Sequence, residues 1–344
     1  MVLTLLSSLI CVIAIETSQS GQASVADHLV SAQDLRDLHA EAARAESTAL
    51  VWLVEPTSTT WQSYQLANDQ IDLLLMGSAA SAEQPSDLAA VASALRNWQE
   101  AVTIAHYHGG ADAAVIQTVA DRYGDLSSAL AAATASIAPR GSSALVVIGL
   151  VAAVIAMLGF ICALVMVALR SHRVVNLGLV VGLAAVIGIV TVMGVYNARP
   201  QQILAMDSQT AQLSQVLADT WDVRSLDALS ILLPHNNTVP QATALVDSLK
   251  EALRPHDLPV DLLANRQESI MSTTDTQSLT DLVTDVLPWQ TLADSIAESI
   301  DNQRSDPHDL ILSAQWSLVA VCLLCVVAAI ATLAGINSRT KEYR

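Results

Sequence analysis

Residues 143–169 read SALVVIGLVAAVIAMLGFICALVMVAL; Arg170-Ser171-His172-Arg173 follows, and then VVNLGLVVGLAAVIGIVTVMGVY at 174–196. Both apolar runs exceed 20 residues and carry no charged side chain. As helices, each is long enough to cross a hydrocarbon layer of roughly 30 Å. A connector of four residues with two arginines is too short for a domain, and its charge marks the cytoplasmic face. Working outward, two more apolar runs stand at 1–15 and 313–336, and two polar segments stand at 16–142 and 197–312. The fold class expected is an all-α membrane protein: four transmembrane helices (1–15, 143–169, 174–196, 313–336) carrying two extracytoplasmic antiparallel four-helix bundles.

Charge is sorted the same way. The chain has 344 residues, a net charge of −17 and 52% apolar residues. Residues 16–142 carry −10 and residues 197–312 carry −11, whereas the connector and the tail 337–344 together carry +4. Basic residues are retained inside while acidic loops cross freely, so both polar segments are expected outside and both termini in the cytoplasm of a multi-pass plasma-membrane protein. Nothing basic is exposed outside, which argues against a nucleic-acid partner. Cys11, Cys162, Cys322 and Cys325 all lie in apolar runs, so neither polar segment has a thiol for disulfides, and Cys322-x-x-Cys325 reads as helix packing. Run 1–15 is short for a span and lacks the basic n-region of a signal peptide. We read it as a first membrane helix, with a signal peptide as the alternative.

Within 16–142, apolar residues recur at intervals of three and four on four stretches. The first has Leu35, Leu38, Ala42, Ala45, Ala49 and Trp52 and ends at Pro56; the second has Trp61, Tyr64, Asn68, Ile71 and Leu75. The third, opened by Pro85, has Leu88, Val91, Leu95, Trp98, Val102 and Ala105, and the fourth, beyond Gly109-Gly110, has Ile116, Val119, Tyr123, Leu126, Leu130, Ala133 and Ile137. That spacing describes helices packed knobs-into-holes, with short turns making neighbours antiparallel. In 197–312 a long helix over 201–233 is expected to continue the third membrane helix outward, with shorter helices over 241–253 and 260–273, and a last one through Leu279, Leu282, Val286, Trp289, Ala293, Ile296 and Ile300. Pro288 falls inside that last run and must kink or interrupt it.

No enzyme signature is present: no phosphate-binding glycine loop, no nucleophile triad, no zinc-protease pattern. No cofactor is expected. His106-x-His108 with Asp112 has metal-ligand residue types but sits at a helix end beside two glycines, and reads as a solvated terminus. The apolar runs are uncharged, which argues against a conduction path. Gly178-x-x-x-Gly182 allows close helix approach, within the four spans or across a homodimer. Arg36, Arg44, Arg122 and Arg224 lie near bundle seams, where a guanidinium can clamp a ligand carboxylate or pair within the chain. Trp52, His106, His108 and His235 stand at the distal turns as candidate ligand or partner contacts. On the inner side, Arg170, Arg173, Arg339, Lys341, Tyr343 and Arg344 are the candidate relay residues, since no kinase, cyclase or coiled-coil module is present there.

The paired-bundle layout, the Arg170-Ser171-His172-Arg173 connector and the tail Gly335-Ile336-Asn337-Ser338-Arg339-Thr340-Lys341-Glu342-Tyr343-Arg344 resemble an actinobacterial family of four-span membrane sensors. The resemblance implies a non-enzymatic receptor that relays extracellular amino-acid availability. Its implied partners are a glutamine-binding lipoprotein, an extracytoplasmic solute-binding protein, and the cytoplasmic serine/threonine protein kinase G. The bundles also resemble chemoreceptor four-helix sensor domains. The alternative function is a structural envelope scaffold or an accessory subunit of a transporter.

Overall fold

The computed structural model describes residues 30–81, 85–109, 112–136, 177–236, 238–256, 258–259, 261–272, 276–304 and positions 319, 323, 326, 327 and 330. The described residues are almost all helical, joined by short turns, with no strand among them. In chain order the helices are α1 (30–54), α2 (Ser58–Ser81), α3 (Pro85–Tyr107), α4 (Ala113–Ser136), α5 (Leu177–Leu232), α6 (Val239–Leu253), α7 (Asp261–Ser272), α8 (Thr276–Thr284) and α9 (Leu287–Gln303). One 3-10 turn, Arg254–His256, follows α6.

His28–Ala138 and Met206–Arg304 form a single compact unit, where the sequence suggested two separate bundles. The rest of the chain, Met1–Asp27, Pro139–Ala205 and Ser305–Arg344, belongs to a second unit. Most of that unit lies outside the described residues, including the runs 1–15 and 143–169, the connector 170–173, nearly all of 313–336 and the tail 337–344. Among the described residues no helix is long and apolar enough to cross a membrane. Val319, Leu323, Val326, Val327 and Ile330 are nevertheless all exposed, at 45 to 61%. Ile187 of α5 is 49% exposed.

The first polar segment folds where its periodicity places it. Leu35, Leu38, Ala42, Ala45, Ala49 and Trp52 of α1 are buried against Val91, Leu95, Trp98, Val102 and Ala105 of α3 and Ile116, Val119, Leu126, Leu130 and Ala133 of α4. Turn chemistry separates the helices. Pro56 lies between α1 and α2, where the Thr60 amide donates to the Thr57 hydroxyl at 3.2 Å. Gly109 adopts φ 68° after α3, a conformation that costs glycine little.

Burial of α1 exceeds what a one-faced helix would show: every residue from Ala45 to Leu53 is buried. Partners from the second segment cover its other side. Ala228 and Leu233, from α5 and the residue after it, and Val283 of α8 join the core of the first segment. Conversely, Ala43 of α1 packs into the core formed by Leu213, Val216, Trp221, Leu249, Trp289, Leu292 and Ile296. Small residues at Ala40, Ala42, Ala43, Ala45, Ser47 and Ala49 let helices approach α1 closely from several directions. Polar contacts follow the same route. Both terminal nitrogens of Arg36 donate to the two carboxylate oxygens of Asp207, at 2.6 and 3.0 Å. Arg304 donates to both oxygens of Asp37, at 3.0 and 2.8 Å.

In the second segment the long helix continues the third apolar run as expected, a single helix from Leu177 to Leu232, and the choice left open at Pro288 falls to an interruption. The apolar run through Pro288 is divided between α8 and α9, with Pro288 in the first turn of α9. There its missing amide removes no intrahelical bond. Asp285 accepts from the Leu287 amide at 3.2 Å across the break. The rotation at this break exposes Val286 and buries Val283 instead.

Candidate functional site

Arg224, Asp227 and Arg266 form a buried charged group in this unit. Arg224 and Asp227 lie three residues apart on α5, so they share a face, and Arg266 reaches them from α7. Their exposures are 2%, 6% and 8%. The Arg266 Nε donates to Asp227 Oδ2 at 3.5 Å, and the Arg224 Nε donates to the Val283 carbonyl at 3.4 Å. Trp289, placed in the first turn of α9 by Pro288, lies beneath the Arg266 guanidinium at 4.7 Å from its ring centre. Three N–H groups remain without a hydrogen-bond partner among the described residues: Arg224 Nη1, Arg266 Nη2 and the Trp289 indole Nε1.

A cavity of about 20 Å³ adjoins this group. Asp227, Arg266 and Trp289 line it together with Thr243 and an apolar wall from Ala242, Val246, Leu263 and Ile270. Burial, and after it the neighbouring Arg266 charge, bring the Arg224 pKa down to about 10, with Asp285 and Asp227 opposing the shift. Burial likewise raises Asp227 to about 6, against the pull of both arginines. At neutral pH two guanidinium charges and the Asp227 carboxylate are held together here, with the Asp285 carboxylate facing both arginines.

A second buried cluster lies on the α1 side. The Trp98 indole donates to Glu46 Oε2 at 2.7 Å. Tyr123 donates its hydroxyl proton to Asp222 Oδ1 at 2.9 Å. Burial raises the Glu46 pKa to about 8, so its carboxyl is mostly protonated at pH 7. Burial also raises Asp222 to about 6. Aromatic rings extend from this cluster to the distal end. Trp98 meets Tyr64 at 6.0 Å, Tyr64 meets Trp61 at 4.9 Å, and Trp61 stacks on His106 at 3.8 Å beside Trp52.

The structure distributes the residues singled out from sequence. Arg36 is held by Asp207, Arg44 pairs with Glu41 at 3.4 Å and faces Trp221, and Arg122 pairs with Asp125 at 3.4 Å. Trp52 and His106 come together in the aromatic cluster, with His106 Nδ1 buried and unpartnered among the described residues. His108 and His235 are exposed in turns. No metal-binding group of His, Cys, Asp or Glu occurs among the described residues. Arg170, Arg173, Arg339, Lys341, Tyr343 and Arg344 lie outside them.

Of the candidate ligand residues, Arg224 alone enters the buried charged group. Asp227, Arg266 and Trp289 were missed. The signal for the first two is a charge interrupting an apolar helical stripe: Asp227 beside Arg224 and Ala228, and Arg266 between Leu263 and Ile270. The chain matches no family model, no curated protein and no solved structure.

Proposed function

We propose that the chain is a non-enzymatic membrane receptor whose helical unit, built from 28–138 and 206–304, faces outward on four membrane spans. One observation carries this reading: α5 is a single helix from Leu177 to Leu232, joining an uncharged apolar run to the buried group around Arg224. A change in how Arg224 is held acts directly on the helix that continues into that run, which is the elementary act of a helical relay. The exposed apolar positions Val319, Leu323, Val326, Val327 and Ile330 recur at helical spacing and suit a lipid environment. The separation of acidic segments from basic connector and tail supports the orientation.

In this reading extracellular amino-acid availability is the input, through a solute-binding lipoprotein docked on the unit. The output passes through Arg170, Arg173 and the basic tail to a cytoplasmic serine/threonine kinase. Crosslinking in intact membranes followed by identification of the attached proteins tests it directly. A receptor is expected to capture a solute-binding lipoprotein and a kinase, and deletion of residues 338–344 is expected to lose the kinase while keeping the lipoprotein. A scaffold or transporter accessory subunit would lose neither, and that result would end the receptor reading.

A further inference from the structure

We propose that the cavity beside Arg224, Asp227, Arg266 and Trp289 is a binding site for the carboxylate headgroup of a small molecule. Three observations converge on it. Arg266 and Trp289 line the cavity, are at least nine-tenths buried, and each keeps an N–H without a partner among the described residues. Such groups are costly to leave unpaired and find partners in the great majority of folded proteins. Arg224, adjacent to them, keeps a third unpaired N–H and adds a second guanidinium.

The unpaired groups select the kind of occupant. Asp227 and Asp285 already face the two arginines, yet three N–H donors stay unpaired, and donors on guanidiniums are met best by an anionic hydrogen-bond acceptor and not by a cation. Size selects the class. About 20 Å³ accommodates a group of one to two water volumes, the scale of a carboxylate head and not of a whole metabolite. The wall selects further, because Ala242, Val246, Leu263 and Ile270 offer methyl groups where the carbon next to a carboxylate would rest. A halide has no use for that wall. Two sources of this head are chemically distinct. A plain aliphatic acid would use only the N–H donors, whereas a free amino acid would also present an ammonium group to Asp227.

The site rests on the receptor reading for its purpose only, and its test needs neither partner nor kinase. The full-length chain, purified in detergent micelles, is melted with acetate, alanine or chloride as probes at matched ionic strength. Acetate or alanine is expected to raise the melting temperature saturably while chloride does not. The more potent of the two identifies the source of the head. Trp289→Phe removes one N–H and keeps an aromatic ring under Arg266; its half-saturating concentration is expected to rise about tenfold. Ala242→Val, which fills the cavity without touching a charge, is expected to weaken the response similarly. An equal response to chloride, no response to any probe, or an unchanged response in both variants overturns the proposal. Any of these results leaves the crosslinking test above standing, and a failed crosslinking test leaves this one intact.

Discussion

Glu46 is a buried acid whose ionisation folding opposes. It is 1% exposed, accepts from the Trp98 indole, and has its pKa raised to about 8 by burial. An acid whose folded pKa lies above its unfolded value keeps full stability only at pH below the unfolded value. As pH rises from about 4.5 to 8 the unfolded chain ionises first, and the native state loses ground. The loss from this residue is no more than about 5 kcal/mol, from 1.36 kcal/mol per pKa unit. Asp222 and Asp227, both raised to about 6 by burial, push the same way in the lower part of that window. Wild type and Glu46→Gln should therefore melt alike near pH 4, and the variant should become the more stable as pH approaches 8. Paired thermal melts across that range check this; parallel curves would mean that Glu46 is ionised in the native state.

At the scale of elements, helices and turns respond oppositely to one substitution. Gly124 lies inside α4, exposed, with nothing within 4 Å of where a Cβ would stand. Gly124→Ala should stabilise the protein by about 1 kcal/mol, the helix-propensity difference between these residues. Gly109 ends α3 with φ 68° and is equally uncrowded, so backbone conformation is its sole constraint. Gly109→Ala should cost about 1 kcal/mol, because an L side chain resists the left-handed region. Denaturant midpoints of the two variants should thus move in opposite directions. The break between α8 and α9 shows how far local signals reach. Pro288 announces an interruption, but the helix ends at Thr284 and resumes at Leu287, which turns Val283 inward and Val286 outward. Apolar spacing read straight through a proline assumes one helix axis, and here there are two.

For the whole molecule the deciding fact is that residues 28–138 and 206–304 share their core. The first segment expressed alone would expose the face of α1 that holds Ala43, together with the surface normally covered by Ala228, Leu233 and Val283. It is expected to lack a cooperative thermal transition and to bind a hydrophobic dye; a sharp, dye-free melt would restore the picture of independent bundles. The bidentate pair of Arg36 and Asp207 is largely buried, with side chains 17% and 11% exposed. A double-mutant cycle to Ala at both positions should give a coupling of about 1–3 kcal/mol, well above a surface pair.

The amino-acid sequence by itself determined the helices of the first segment, their turns and the seam residues of α1, α3 and α4. Each of these depends on contacts within a turn or two of the chain, which apolar spacing, prolines and glycines record directly. It also held the separation of acidic segments from a basic connector and tail. Only the tertiary structure decided that the two polar segments form one unit. The ion pairs that join them link residues 171 and 267 positions apart, and no local pattern encodes so distant a contact. The same holds for the candidate site. Arg224 was legible as an arginine on an apolar face, but its meeting with Arg266 and Trp289 depends on how α5, α7 and α9 are brought together in space.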